Sequence, residues 1–207
     1  IRMYLKKQRY EKLEEMTDEI DSSVRSMYNL LDNLLNWAVQ QQGQVPFKPE
    51  YVIVDDLVME VIQTFQTSAL TKKVKLTHNI SPALRLWADK NTLSTVIRNL
   101  VSNALKFTPE GGEINITAFL KDESCLIKIS DTGLGMQRDK VQNLFYTHGE
   151  INSTRGTAGE KGLGLGVQLV KDFVKMNKGF IDVRSKPKNG TTITILIPAE
   201  RDLSISA

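Results

Sequence analysis

The chain has 207 residues, 41% hydrophobic and 25% charged, which is long enough for one ordinary domain with a helical appendage and too apolar for a disordered chain. A single cysteine, Cys125, excludes an internal disulfide framework and a multi-cysteine zinc site and favours a reducing compartment, while two histidines, His78 and His148, exclude a histidine-rich metal centre. The net charge of +3 is too weak and too evenly interspersed to indicate nucleic-acid or membrane-surface binding, and no apolar run reaches the roughly 18–20 residues of a membrane span.

The chain opens at Ile1 without an initiator Met and enters a helical pattern at once, so it is expected to be a fragment of something longer. Leu13, Met16, Ile20, Val24, Met27, Leu31, Leu34 and Ala38 step by three and four, which predicts one stripe on a long helix ending near Gly43 and Pro46. A single-stripe helix needs partner helices to be stable. Beyond a linker at about 44–49 the texture becomes mixed. Strands are predicted over 51–54, 74–79 and 84–88, and helices over 57–69 and 90–107. The second helix stops at Thr108-Pro109-Glu110-Gly111-Gly112, a strong turn signal. Ile114, Ile116, Ala118 and Leu120 alternate with polar residues or Phe119, and Cys125, Ile127 and Ile129 alternate likewise, which predicts a hairpin with one buried face. A loop poor in apolar residues spans 147–161, a helix is predicted over 165–177, and strands over 180–185 and 191–197 close the chain. Helices and strands grouped in this way imply an α+β sandwich.

Three clusters carry candidate chemistry. Asn99, Asn103 and Lys106 stand at i, i+4 and i+7 of one helix, so two amides and an ammonium share a face opposite Leu93, Val96, Ile97, Leu100 and Ala104. An amide oxygen suits Mg²⁺ and a lysine suits phosphate; the alternative is a plain solvated face. Asp131-Thr132-Gly133-Leu134-Gly135-Met136 follows a strand, where a carboxylate can accept a hydrogen bond, such as one from an adenine amine, and glycines admit close approach. The same residues also suit an ordinary turn. Lys161-Gly162-Leu163-Gly164-Leu165-Gly166 opens a helix, where exposed amides and the helix dipole favour anions; its spacing is not that of a P-loop.

Order and spacing make these pieces specific. Asn99-x-x-x-Asn103-Ala-x-Lys106-Phe107, Asp131-Thr-Gly133-x-Gly135-Met136, Phe145, Gly162-x-Gly164-x-Gly166 and Gly190-Thr191-Thr192 resemble, in sequence order, the asparagine box, the first glycine box, the phenylalanine box and the second and third glycine boxes of sensor histidine kinases. The resemblance covers residues 50–198, and the long helix before them is similar to the second helix of that family's dimerisation and phosphotransfer module.

The resemblance implies a two-layer α/β sandwich of the histidine-kinase/gyrase ATP-binding (Bergerat) type over 46–207. Residues 1–45 would be the end of a helical hairpin through which the intact protein forms a homodimer. It implies ATP and Mg²⁺ as cofactors, with Asn103 as the Mg²⁺ ligand, Asn99 supporting the same face and Lys106 contacting phosphate. Asp131 would accept from the adenine amine and Gly133 and Gly135 would let the backbone pass the base, with Phe107 and Met136 also in the cofactor-binding set. Gly162, Gly164 and Gly166 would hinge a lid and offer amides to the phosphates, with Lys161, Leu163 and Leu165 in the same cofactor-binding set; Phe145 would anchor the start of that lid, and Thr192 would lie near the adenine. Leu163 stands where the family usually has Thr, so one hydroxyl is missing from the phosphate region.

The implied reaction moves the ATP γ-phosphoryl group to a histidine, and then to an aspartate on a response-regulator receiver domain. Neither His78 nor His148 fits the phosphoacceptor pattern, so the acceptor is expected upstream of Ile1 and this fragment is expected not to phosphorylate itself. The implied location is cytoplasmic, with membrane contact only through upstream segments, as in an inner-membrane sensor. Three rival readings remain: a nucleotide-sensing module without transfer, a serine-directed kinase of the same superfamily, which the long helix before the domain disfavours, and an ATPase of the gyrase and chaperone superfamily. Those ATPases place a Glu four residues before the metal-binding Asn, where this chain has Asn99, whose amide is not a useful base.

Overall fold

The computed structural model describes residues 47–146, 156–157 and 165–199, all within the compact unit 46–207. The predicted N-terminal helix and most of the 147–161 loop lie outside the described residues.

A two-stranded ribbon begins the described chain. β1 (Pro49–Ile53) pairs antiparallel with β3 (Arg85–Asp89), and Tyr51 meets Trp87 edge-on across it, ring centroids 4.9 Å apart. Each strand feeds a helix directly: β1 runs into α1 (Val54–Thr71), and β3 into α2 (Lys90–Phe107). The ribbon thereby sets the starts of the two helices side by side. Asp89 caps α2, its Oδ1 accepting from Thr92 N at 2.8 Å. At the other end Thr108 adopts the extended backbone required before Pro109, and both its amide (3.0 Å) and its hydroxyl (2.7 Å) donate to Ala104 O.

The main sheet has the order β2-β4-β5-β7-β6, with β2 (Lys75–Ile80), β4 (Glu113–Lys121), β5 (Ser124–Asp131), β6 (Phe180–Ser185) and β7 (Thr191–Pro198). All pairings are antiparallel except β2 with β4, which is parallel because the chain crosses over through β3 and α2 between them. The predicted hairpin is β4–β5. Alternation in these strands sends Ile114, Ile116, Ile127, Ile129, Ile195 and Ile197 to one face, where they are buried against Leu57, Val61, Leu93, Ile97, Leu100, Leu169 and Phe173 of the helices. Cys125 shares that core, and burial pushes its thiol up to about 12, so it is no nucleophile at neutral pH. The third long helix is α4 (Leu165–Met176), preceded by the short α3 (Arg138–Val141) and a π-helical turn, Gln142–Tyr146. Within the described residues the predicted long elements are present, and the two-layer α/β sandwich is the fold observed. The sequence reading left 138–146 without an element, because four residues of α-helix are too few to show a period. Among the described residues no helix is long and apolar enough to cross a membrane.

Candidate functional site

Helix α2 carries the first cluster as its spacing predicts. Leu93, Val96, Ile97, Leu100 and Ala104 are buried, while Asn99, Asn103 and Lys106 are half-buried on the other face. The Asn99 amide is already engaged: its Nδ2 donates to Thr95 O at 2.9 Å, and its Oδ1 lies 2.5 Å from where a Cβ on Gly166 would stand. Asn103 has no hydrogen-bond partner among the described residues. Mg²⁺ keeps most of its ligands as water and phosphate oxygen, so one unengaged amide oxygen of this kind fits its protein-side requirement. The Lys106 ammonium sits 5.0 Å from the centre of the Phe107 ring, a cation–π contact at the end of the helix.

The second cluster packs against that helix end. Leu134 N donates to Phe107 O at 3.1 Å, and a Cβ on Gly133 would come within 2.5 Å of the same carbonyl. Gly135 has a left-handed φ of +62°, and a Cβ there would collide with Lys186 O. The glycines of this loop are thus required by the protein's own backbone: the loop is threaded between α2 and the β6–β7 turn, independently of any ligand. Asp131, at the end of β5, holds the loop from inside. Its Oδ1 accepts from Gly133 N at 2.8 Å and Thr191 N at 3.2 Å, and its Oδ2 has no partner among the described residues. Burial raises its pKa above the ordinary carboxylate value, and the two backbone hydrogen bonds oppose that rise. A half-buried carboxylate with one oxygen fixed by two backbone amides can accept a further hydrogen bond through the other.

The register of β7 distinguishes its two threonines. Thr191 pairs with Asp131 and lies on the same face of the sheet; Thr192 pairs with Ser130 and lies on the opposite face, where the two hydroxyls are 3.0 Å apart. The sequence singles out Thr192, but the residue beside Asp131 is Thr191. Only the pairing register, which one sequence does not reveal, separates them. Met136 and Phe145 meet in one apolar cluster with Val141, Val183 and Val167, so the start of the loop after Phe145 is anchored next to the glycine turn; Met136 N also donates to Ser185 Oγ at 2.8 Å.

Of the third cluster, Lys161, Gly162, Leu163 and Gly164 lie outside the described residues; Leu165 begins α4 and Gly166 abuts Asn99. Thr157, which the sequence does not single out, donates its amide to Lys106 O at 3.0 Å, and its hydroxyl lies 3.1 Å from both Lys106 O and Thr108 O. The glycine turn at Phe107 O and Thr157 at Lys106 O thus meet at the last turn of α2, while Gly166 abuts Asn99 further back on the same helix.

Residues 88–201 match the model of the family described as histidine kinase-, DNA gyrase B-, and HSP90-like ATPase. The circadian input-output histidine kinase CikA of Thermosynechococcus vestitus is 29% identical over 194 residues, covering 92% of this chain and 26% of that protein. The signal transduction histidine-protein kinase BaeS of Escherichia coli is 25% identical over 189 residues, 91% of this chain and 40% of that protein. The chain therefore spans between a quarter and two fifths of these two relatives. Among solved structures, the histidine kinase AdeS of Acinetobacter baumannii superposes with a TM-score of 0.68 at 18% identity, covering 86% of this chain and 81% of that one. Full-length ShkA in complex with AMPPNP gives 0.69 at 22% identity, covering 84% of this chain and 36% of that one. At such identities these two superpositions show the fold. With more than half of its length matched by the family model, the chain belongs to the histidine kinase-, DNA gyrase B- and HSP90-like ATPase family, as an ATP-binding catalytic region of the sensor histidine kinase type.

Proposed function

We propose that residues 46–207 bind Mg·ATP and present its γ-phosphoryl group to a histidine, and that a response-regulator aspartate receives the group afterwards. The observation that carries the nucleotide reading is Asp131: Oδ1 is held by two backbone amides while Oδ2 is left to accept from an adenine amine. In this reading Thr191, on the same face, completes the base end in place of Thr192. Asn103 and Lys106 meet the phosphate end, with Phe107 and Met136 beside the base. The glycine run 162–166, starting after Lys161, supplies amides to the phosphates, and Phe145 fixes the start of the loop that leads to it. When bound there, Mg²⁺ would neutralise phosphate charge; the chain's own contribution is positioning.

The engaged state of Asn99 supports transfer over hydrolysis. Its amide already donates to Thr95 O, and its oxygen faces Gly166, so this position holds α4 against α2 and offers no base to a water molecule. His78 is a poor acceptor: it sits half-buried on β2 with Nε2 3.3 Å from Asp55 Oδ1, so the acceptor histidine belongs to another segment. We propose further that residues 1–45 are part of a helical dimerisation module and that the domain works in the cytoplasm. Calorimetric titration of the chain with Mg·ATP tests the central claim. Saturable binding that a fluorescent adenine nucleotide competes away is the expected result, and the absence of both heat and competition would overturn it.

A further inference from the structure

We infer that Ser185 is a positioning residue that sets base specificity: its hydroxyl fixes that of Thr191 as an acceptor, so the base end of the site favours an exocyclic amine over a carbonyl. The inference rests on the nucleotide reading above. The strand register puts Asp131, Thr191 and Ser185 in one cross-strand row over β5, β7 and β6, on the same face of the sheet. Ser185 is half-buried, and its Oγ meets three partners. Met136 N donates to it at 2.8 Å, Gly190 O lies 3.1 Å away, and Thr191 Oγ1 lies 2.9 Å away. A hydroxyl has one proton and two lone pairs. Met136 N–H takes one lone pair, and Gly190 O, a carbonyl, can only receive the proton. The second lone pair is then left for Thr191, whose hydroxyl must be the donor between the two. Thr191 gives its only side-chain proton to Ser185, and its own oxygen is left an acceptor in the row with Asp131.

The opposite arrangement, with Ser185 donating to Thr191, would leave the buried Gly190 O with only Lys186 N, at 3.4 Å, among the described residues. The saturated arrangement gives every group in the cluster a partner. Nor is the Ser185 hydroxyl needed to hold the β6–β7 turn to the glycine loop. The main chain already does so, through Gly190 N to Gly133 O at 3.0 Å and Lys188 N to Leu134 O at 2.7 Å. What Ser185 adds is the direction of one proton. Together with Asp131 Oδ2, the row then presents two acceptors and no hydroxyl donor to the base. An adenine amine can donate there, whereas a carbonyl oxygen in the same position meets only lone pairs.

The test titrates the wild-type chain, Ser185→Ala, Ser185→Thr and Thr191→Val with Mg·ATP and with Mg·ITP, whose base carries a carbonyl oxygen where adenine has its amine. The wild type is expected to prefer ATP. Ser185→Ala releases the Thr191 proton to turn toward a carbonyl, and is expected to narrow the ratio of the two Kd values about three- to tenfold, the effect of roughly one net hydrogen bond. Ser185→Thr keeps the hydroxyl and is expected to restore the ratio. Thr191→Val, which leaves Met136 N its partner, is expected to narrow the ratio as well, and adding Ser185→Ala to it should change nothing further. A merely structural role would weaken both nucleotides alike and leave the ratio where it was. An unchanged ratio in Ser185→Ala or in Thr191→Val, a failure of Ser185→Thr to restore it, or additive effects in the double variant overturns the inference. A wild-type chain that binds neither nucleotide would overturn the nucleotide reading itself.

Discussion

Asp131 shows how a single residue can serve the fold and the ligand with different atoms. Oδ1 pins the glycine turn and the start of β7, while Oδ2 remains for a donor. Burial raises its pKa, so the folded state binds a proton there more readily than the unfolded chain. The sign follows: stability contributed at this position falls as pH rises from the ordinary value of 3.8 through the folded pKa, and the cost of the bare carboxylate persists above it. Asp131→Asn keeps an oxygen for the two amides and removes that cost. The variant is expected to be at least as stable as wild type at pH 7, with a flatter dependence of urea midpoint on mildly acidic pH. It should bind adenine nucleotides about tenfold or more weakly, since a hydrogen bond to a charged acceptor is lost and an amide offers the base amine a weaker, neutral acceptor at best. Denaturation midpoints across pH, with parallel nucleotide titrations, check both halves. A variant that lost stability and kept affinity would contradict the assignment.

Between elements, the contact of α4 with α2 turns on a missing side chain. A Cβ on Gly166 would sit 2.5 Å from Asn99 Oδ1, so Gly166→Ala forces the Asn99 amide to swing and give up its bond to Thr95 O. Alanine itself favours the helical conformation by about 0.5–1 kcal/mol. Gly166→Ala is therefore expected to destabilise by about 1 kcal/mol alone, yet to stabilise by about 0.5 kcal/mol in an Asn99→Ala background. That reversal, read from urea denaturation of the two single variants and the double, is the signature of direct packing. The helices themselves were legible in sequence, because Leu93, Val96, Ile97, Leu100 and Ala104 repeat with the helical period, and the central strands because Ile114, Ile116, Ile127 and Ile129 alternate. The glycine and asparagine clusters were legible from order and spacing. Pairing was not. The β1–β3 ribbon, the parallel β2–β4 ladder and the pairing of Asp131 with Thr191 depend on which strands meet and in what register, a property of residues far apart in the chain. Thr157 was invisible for a related reason: a threonine in a polar run has no periodicity, and its partners lie about fifty residues away.

Across the whole molecule, the end of α2 that faces the site and the end that anchors it to the scaffold are held by different polar networks. The anchoring network centres on Asn177, which follows α4 and is 4% exposed. Its Oδ1 accepts from Asp89 N at 2.9 Å, and its Nδ2 donates to Thr92 Oγ1 at 2.9 Å and to Phe173 O at 2.8 Å. Asp89 Oδ2 accepts in turn from Lys48 N at 2.9 Å, so one buried amide joins the β1–β3 ribbon, the cap of α2 and the end of α4. Asn177→Ala would strand the Asp89 amide in the interior and empty the space the amide filled, costing about 2–4 kcal/mol of folding free energy. Asn177 contacts Thr92 in the first turn of α2, and Lys106 is in the last, about 21 Å along the axis at roughly 1.5 Å per residue. A defect at the anchoring end should therefore leave the site intact in molecules that remain folded. The expected outcome is a large drop in urea midpoint with an unchanged Kd for Mg·ATP measured well below that midpoint. Parallel loss of affinity would mean that α2 transmits displacement along its length and that the two ends are one unit. Unchanged affinity would mean that the scaffold sets how long the domain stays folded, while the contacts around Asn103, Lys106 and Asp131 set what it binds.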